Sequence, residues 1–195
     1  MTPGLRLGLL VSGRGSNLRN LVRRGFDIVA VATNRPSCGA AEFARERGLA
    51  LGEFSQKGYE SHQARDEAMR DWLLSRRVDL VVNAGYDRIL TPLFIAAFAG
   101  RIINLHPSLL PAFAGSMDAV EQAHSAGVSV SGCTVHLVTD EVDAGPILVQ
   151  AQVPVKAGDS VESLRERIQV EEHLLLPQAI DLMSERLATT RSSLG

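Results

Sequence analysis

The segment that decides the fold reads LGLLVSGRGSNL over residues 7–18. The apolar run Leu7–Val11 leads directly into a turn with two glycines, Gly13 and Gly15, and a more amphipathic stretch follows. Strands that are apolar throughout are typical of sheets covered on both faces, and a strand–turn–helix unit opens many parallel sheets. The segment therefore predicts a buried strand, a tight turn and a first helix.

Outward from this segment, short apolar runs alternate with longer amphipathic ones. Strands are predicted at Leu7–Val11, Ile28–Thr33, Val78–Val82, Ile102–Leu105, Thr134–Val138 and Ile147–Gln150, and helices at Leu18–Arg24, Ala40–Arg47, Tyr59–Ser75 and Leu93–Phe98. After Gly132 the order changes to strand, turn, strand. The pattern predicts an α/β fold with an open, mostly parallel sheet, helices on both faces and an antiparallel extension in the C-terminal part.

The last predicted helix begins at Asp159 and Ser160, which are good helix-capping residues. Val161, Leu164 and Ile168 follow at helical spacing, and Pro177 is expected to interrupt or kink this last helix. Residues 184–195 lack apolar periodicity and are predicted to form a frayed tail, whereas residues 1–183 are predicted to form a single domain.

Composition excludes several classes of protein. Hydrophobic residues make up 45% and charged ones 22%, and 20 Lys+Arg against 22 Asp+Glu leave a net charge of −2. This balance argues against a disordered chain, a nucleic-acid-coating protein or a polybasic membrane protein. No apolar run reaches the ~20 residues of a spanning helix, and Cys38 and Cys133 form no CxxC pair. We expect a cytoplasmic protein without a metal, with small-molecule substrates and no nucleic-acid or membrane partner.

The turn of residues 12–17 carries the first functional signal. Glycines bring backbone N–H groups close to a ligand, and a helix N-terminus favours an anion such as a phosphate. A dinucleotide turn would have a small residue in place of Leu18, and no Gly-Lys-Ser/Thr of a triphosphate loop is present. The alternative is a tight strand–helix turn in which Ser16 or Asn17 caps the helix.

The segment Asn104-Leu105-His106-Pro107-Ser108 closes a predicted strand. Strand side chains alternate, so Asn104 and His106 share a face, and Pro107 places them at the carboxyl end, where α/β sheets bind ligands. An amide and an imidazole together can stabilise an oxyanion and move a proton, which is what acyl transfer requires. A carboxylate from the acidic loop 139–143 would favour the imidazolium and raise the pKa of His106. The alternative is a polar strand end with ordinary hydrogen bonds.

Several motifs occur together in one order: GRGSNL at 13–18, NRP at 34–36, AGYDRIL at 84–90, NLHPSLLP at 104–111 and VDAGP at 142–146. From about residue 7 to 183 the chain resembles the phosphoribosylglycinamide formyltransferase family, the folate-dependent enzymes of purine synthesis. The resemblance implies a Rossmann-like fold, a monomer or homodimer, and transfer of the formyl group of 10-formyltetrahydrofolate, a co-substrate, to the amine of phosphoribosylglycinamide.

The resemblance also implies a role for each matching residue. His106 is the implied general acid, Asn104 the oxyanion donor and Asp143 the carboxylate that holds His106 protonated. The implied contacts of phosphoribosylglycinamide are Gly15, Ser16, Asn17, Gln169 and Glu172. The implied folate contacts are His62, Asp87, Arg88, Ile89, Leu90, Asn104, Thr139, Asp140, Glu141, Val142 and Asp143.

Departures from the family pattern leave some points open. The family position of a folate-binding arginine corresponds to about His62 in this sequence. Arg65 is the alternative residue for this folate contact. The loop 113–119 lacks a proline and a histidine that many members carry, so it receives no role, and His136 is given a structural or supporting role. The alternative functions are another formyl-folate enzyme, either a hydrolase or a different amine formyltransferase, and a non-catalytic nucleotide-binding module. A hydrolase or tRNA formyltransferase would be expected to have a further domain.

Overall fold

The structure, a computed structural model, describes residues 4–192, with side chains through residue 190. Seven strands form one sheet in the order β3-β2-β1-β4-β5-β6-β7. They are β1 (Leu7–Val11), β2 (Ile28–Thr33), β3 (Leu51–Glu53), β4 (Leu80–Asn83), β5 (Ile102–His106), β6 (Val130–Leu137) and β7 (Ile147–Pro154). β1 pairs in parallel with β2 and β4, β2 pairs in parallel with β3, and β6 and β7 are antiparallel. The predicted Rossmann-like α/β fold and its antiparallel extension are confirmed.

Six α-helices lie between or after the strands in the described residues. They are α1 (Ser16–Arg23), α2 (Gly39–Glu46), α3 (His62–Ser75), α4 (Pro92–Ala97), α5 (Ala119–Ser125) and α6 (Val161–Ser192), with a short 3₁₀ turn at Gln56–Gly58. The sequence pattern did not predict β3, because its three residues, Leu-Gly-Glu, contain neither an apolar run nor an alternation.

The chain divides into two compact units, the first ending at Ile103 and the second beginning at Asn104. The single-domain interpretation stays a prediction. In the first unit every residue of β1 is buried, as its uninterrupted apolar sequence predicted. Gly8 in this strand is required by packing, because a Cβ there would lie 2.9 Å from Cγ1 of Val78.

In the second unit, α6 packs on β6 and β7. The prediction of a frayed tail is wrong for residues 184–192, because α6 continues through Ser192, while residues 193–195 lie outside the described range. The hydroxyls of Thr189 and Thr190 donate to the carbonyls of Glu185 and Arg186, one turn earlier, at 3.0 Å each. Extending an existing helix needs no new nucleus, so these residues continue it without an apolar face. Pro177 lies inside α6 and does not interrupt it.

The start of α3 offers a test of local stability. Ser61 caps this helix by accepting a hydrogen bond from the Ala64 amide at 3.0 Å. Ser61→Ala is expected to lower the free energy of unfolding by about 1 kcal/mol in urea titration, since the amide loses its partner. Ser55 is the matched control, because it precedes the 3₁₀ turn without a capping side-chain bond. Equal losses in the two variants would contradict the assignment of the cap.

None of the described helices combines the length and apolar character that crossing a membrane requires.

Candidate active site

Three polar side chains meet at the end of β5. Asp143 Oδ2 lies 3.4 Å from Nδ1 of His106, and Asp143 Oδ1 accepts a hydrogen bond from Nδ2 of Asn104 at 3.3 Å. Asn104 and His106 therefore share a face of β5, as strand alternation predicted. The His106 side chain is 6% exposed and that of Asp143 11% exposed, so the cluster has little contact with water.

The loop between β6 and β7 brings Asp143 to this position. Asp143 itself has a φ of 53°, in the left-handed region that is uncommon outside glycine. Gly145 allows the loop to close tightly, because a Cβ there would lie 1.8 Å from the Leu137 carbonyl oxygen. The Gly115 amide donates to Asp143 Oδ2 at 2.8 Å and fixes the carboxylate from the other side.

The electrostatics of the pair differ from the prediction. Burial lowers the pKa of His106 below its ordinary value, and although the Asp143 charge and the Phe113 carbonyl act in the opposite direction, they do not cancel it. The expected upward shift of the pKa of His106 is therefore wrong as a net effect, while the direction of the contribution from Asp143 is as predicted. Burial alone would raise the pKa of Asp143, but contacts with His136 and the Gly115 amide hold it below its usual range.

Both ring nitrogens of His106 face acceptor atoms. Nδ1 faces the Asp143 carboxylate at 3.4 Å, and Nε2 lies 3.2 Å from the Phe113 carbonyl oxygen. A carbonyl and a carboxylate can only accept, so the protonated ring satisfies both of these partners. These two acceptors favour the protonated form of His106, whereas burial of the ring favours the neutral form.

His136 supports the Asn104 amide from β6. Its Nδ1 lies 2.9 Å from the Leu137 carbonyl, and its Nε2 lies 3.1 Å from Nδ2 of Asn104. Because the carbonyl can only accept, Nδ1 carries a proton, and Nε2 also lies 3.4 Å from Oδ1 of Asp143. Nδ2 of Asn104 lies beside both His136 and Asp143, and these two contacts orient the amide. The supporting role predicted for His136 agrees with this arrangement.

The turn after β5 contributes two backbone groups that sequence reasoning missed. The Phe113 carbonyl contacts His106 and the Gly115 amide contacts Asp143, yet the loop 113–119 received no role. Backbone groups carry no signal in residue type, so no motif could identify them. The positive φ of Phe113, 59°, is the local feature that turns its carbonyl.

A pocket of about 270 Å³ lies in the second unit. Gln169 and Glu172 of α6 line it together with Pro107, which directly follows His106. The two α6 residues are three apart and hence neighbours on one helix face. The remaining lining residues are Met117, Asp118, Ala119, Val120, Glu121, Arg165 and Ile168.

The glycine turn lies in the first unit. Gly15 is the N-cap of α1 with a φ of 79°, and a Cβ there would lie 2.7 Å from Cβ of Ala40. Only glycine fits this position. The alternative in which Ser16 or Asn17 is the N-cap is not observed, since α1 begins at Ser16 and its cap makes no side-chain bond.

The predicted folate residues of the first unit lie on the loop after β4. Asp87 does not present a free carboxylate: it accepts from Nδ2 of Asn34 at 2.7 Å and pairs with Arg35. Its amide donates to Ser12 Oγ at 3.0 Å, and Ser12 Oγ donates to Asn34 Oδ1 at 2.5 Å. Asp87, Asn34 and Ser12 thus tie together the loops after β4, β2 and β1.

The neighbouring positions differ in exposure. The Arg88 side chain is 50% exposed and Ile89 is 73% exposed, while Leu90 is buried. In the second unit, Thr139, Asp140, Glu141 and Val142 are exposed on the loop that carries Asp143.

The open choice between His62 and Arg65 receives a structural answer. Arg65 is 1% exposed and its guanidinium is bound to Asp66 Oδ1 at 2.9 and 2.7 Å and to Gln56 at 3.3 Å. His62, the first residue of α3, is exposed. Of the two, only His62 is accessible to a ligand.

The described residues contain no group of three or more His, Cys, Asp or Glu side chains arranged to hold a metal ion. Cys133 is buried, which raises the pKa of its thiol to about 12. It is therefore a poor nucleophile near neutral pH. Cys38 is half-buried and is the N-cap residue of α2.

Comparison with known proteins identifies the class. Residues 5–180 match the family model described as formyl transferase, which makes the chain a formyl transferase by sequence as well as by fold. It is 36% identical to phosphoribosylglycinamide formyltransferase of Haemophilus influenzae over 92% of this chain and 87% of that protein. The chain belongs to the phosphoribosylglycinamide formyltransferase family.

Two further relatives bear on its extent. A crystal structure of glycinamide ribonucleotide transformylase 1 from Symbiobacterium toebii superposes with a TM-score of 0.90 at 43% identity, covering 95% of this chain and 90% of that one. The chain is also 40% identical to the trifunctional purine biosynthetic protein adenosine-3 of Bos taurus. That match includes 92% of this chain but only 18% of the length of the trifunctional protein.

Proposed function

We propose that the protein transfers the formyl group of 10-formyltetrahydrofolate to the amine of phosphoribosylglycinamide in purine biosynthesis. The observation that carries the proposal is the contact of Asn104 and His106 with Asp143. Pro107, the residue after His106, lines a pocket together with Gln169 and Glu172. An amide donor, a buried imidazole and a carboxylate in contact are the groups that acyl transfer to an amine requires. The names of the relatives support phosphoribosylglycinamide as the acceptor of a formyl group, and the family resemblance of the sequence motifs supports a formyl-folate as its donor.

In the proposed mechanism, the amine attacks the formyl carbon and the formyl oxygen becomes an oxyanion. Nδ2 of Asn104 and Nε2 of His106 donate to this oxygen. In the structure Nε2 faces the Phe113 carbonyl, and Nδ2 of Asn104 contacts Asp143 and His136. Donation to the substrate therefore requires that one contact at each group is exchanged for a hydrogen bond to the oxyanion. The Asp143 carboxylate stabilises the imidazolium form of His106 until its proton is transferred.

A proton lost by the attacking nitrogen and a proton gained by the departing folate nitrogen complete the reaction. His106 delivers a proton to the folate nitrogen, directly or through a water molecule, and the tetrahedral adduct collapses to the formamide and tetrahydrofolate. The imidazole, now neutral, regains a proton from the attacking nitrogen by the same routes. No covalent bond to the enzyme forms in this sequence. The buried thiol of Cys133, with its raised pKa, agrees with such a direct transfer.

The remaining assignments concern binding. We assign Gly15, Ser16 and Asn17 to the phosphate of phosphoribosylglycinamide, because a glycine N-cap opens α1 with its amides and positive dipole end toward an anion. The proposed folate contacts are His62 and residues 87–90 in the first unit and residues 139–143, with Asn104, in the second. Arg88 lies 3.7 Å from Oδ1 of Asp87, and its half-exposed guanidinium supports a contact with an anionic group of the folate.

A cytoplasmic location is proposed as well, because both cysteines are free thiols, as is usual in reducing compartments. The proposed oligomeric state is a monomer or homodimer, with no nucleic-acid partner.

Glu172 provides a test of the substrate pocket. Glu172→Gln is expected to raise KM for phosphoribosylglycinamide about tenfold, the equivalent of ~1.4 kcal/mol, with little change in kcat. Steady-state kinetics at saturating formyl-folate would show it. Glu171→Gln is the matched control, since Glu171 precedes it on α6 and does not line the pocket. Equal KM values for both variants and the wild type would remove Glu172 from the substrate site.

The function itself is tested by amine dependence. Purified protein is mixed with 10-formyltetrahydrofolate with and without phosphoribosylglycinamide, and tetrahydrofolate formation is followed by absorbance. The proposal expects turnover only when the amine is present. Amine-independent release of formate would instead identify a hydrolase, and tight binding of phosphoribosylglycinamide without turnover would identify a binding module.

A further inference from the structure

A hydrogen-bonded network lies behind the turn that closes the site. The Thr134 hydroxyl of β6 donates to the Ser108 carbonyl at 2.7 Å and accepts from the Leu110 amide at 3.1 Å. It also accepts from Nε2 of Gln150 on β7 at 2.9 Å. A hydroxyl has one donor and two acceptor sites, so this group is fully used. Thr134 is completely buried, where water cannot replace a lost partner.

Gln150 extends the network across the β6–β7 ladder. It stands directly opposite Thr134 in the register, and its Nε2 also donates to the Leu110 carbonyl at 2.9 Å. The backbone of Leu110 is thus held at both its amide and its carbonyl. The Ser108 hydroxyl donates to the Ala112 carbonyl at 2.5 Å, which is a hydrogen bond within the same turn.

The segment fixed in this way leads directly to the two backbone groups of the site. Phe113 follows Ala112 and faces Nε2 of His106, and Gly115 binds Asp143. We propose that Thr134 and Gln150 are positioning residues, which hold the turn of residues 108–115 so that it presents the Phe113 carbonyl to His106 and the Gly115 amide to Asp143. This assignment rests on the proposed catalytic role of His106, but the NMR titration of His106 described below does not depend on that role.

The network has a consequence for the protonation of His106. The groups that face its ring are the Asp143 carboxylate, the Phe113 carbonyl and the His136 ring. The carbonyl raises the pKa of His106, and it can do so only while the turn stays in place. A loosened turn removes this contribution, so the ring loses its proton at lower pH.

The test is Thr134→Val, which keeps the shape of the side chain and removes the hydroxyl. NMR titration of the ¹⁵N-labelled ring, assigned by its absence from His106→Ala, is expected to give a lower pKa for His106 than in the wild type. Hydrogen exchange at the Gly115 amide is expected to be faster, and kcat about 10- to 100-fold lower with KM little changed. Thr134→Ser keeps the hydroxyl and is expected to restore all three.

Gln150→Leu decides the matter if Thr134→Val does not fold, because Gln150 lies on the exposed side of β7. It is expected to change the same readouts in the same direction by smaller amounts. Gln152→Ala, two residues along the same strand, is the control and is expected to leave them unchanged. Folded Thr134→Val protein, or Gln150→Leu protein in its place, that titrates His106 as the wild type does would overturn the proposal, whatever its melting temperature. A shifted titration with no formyl transfer by the wild type would uphold the network and reject the proposed function.

Discussion

His106→Ala and Asn104→Ala are each expected to lower kcat by about 10²–10³-fold, because each removes a donor to the developing oxyanion. The effect on the dissociation constant of phosphoribosylglycinamide is expected to be small, since these interactions strengthen only in the transition state. Single-turnover kinetics and calorimetric titration separate the two quantities. The double variant is expected to lose little more than the worse single variant, since the residues act as a unit.

His124→Ala is the matched control for this prediction. His124 lies on α5, where its Nε2 contacts the Asp159 carbonyl at 2.7 Å rather than the site. Its removal is expected to change stability but not kcat. Near-normal turnover in His106→Ala or Asn104→Ala would mean that the cluster is not the catalytic centre.

Asp143→Asn is expected to change both the rate and its pH dependence. The neutral amide cannot balance the charge of the imidazolium, so kcat near pH 7 is expected to fall by between about 10² and 10⁴-fold. The Asp143 charge raises the pKa of His106, and its loss therefore lowers that pKa further. Because the acid form of His106 is the active one, activity disappears as pH rises through this pKa. The alkaline limb of the kcat profile is therefore expected at lower pH in the variant.

The control for this profile is Asp181→Asn, which removes an exposed carboxylate on α6. It alters the net charge of the protein equally and is expected to leave the alkaline limb in place. An unchanged limb in Asp143→Asn, at whatever rate, would show that the carboxylate does not act on His106. A shift to higher pH would contradict the sign of the interaction.

The sequence predicted the parts of the fold that depend on local patterns. β1 and β2 have the predicted bounds, because uninterrupted apolar runs between turns define buried strands. The shared face of Asn104 and His106 followed from strand alternation and Pro107. The antiparallel pairing of β6 and β7 followed from the strand, turn, strand order after Gly132, with Gly145 and Pro146 in the connecting loop.

The contacts of the site could not be predicted in this way. That Asp143 reaches both Asn104 and His106 depends on how the loop after β6 folds back, which sequence spacing does not encode. The net direction of the pKa of His106 depends on burial, a property of the packed site. For the same reason, the sequence could not show that Arg65 is enclosed with Asp66, or that the Asp87 carboxylate is already paired.

The most direct measurement follows the formyl carbon itself. 10-Formyltetrahydrofolate labelled with ¹³C at the formyl group is incubated with phosphoribosylglycinamide and either wild-type or His106→Ala protein, and the products are resolved by NMR. Wild-type protein is predicted to place the label in the formamide of the product, one equivalent for each tetrahydrofolate released, while the variant gives almost none in the same time. Label appearing as free formate, or equal labelling by the two proteins, would contradict the account.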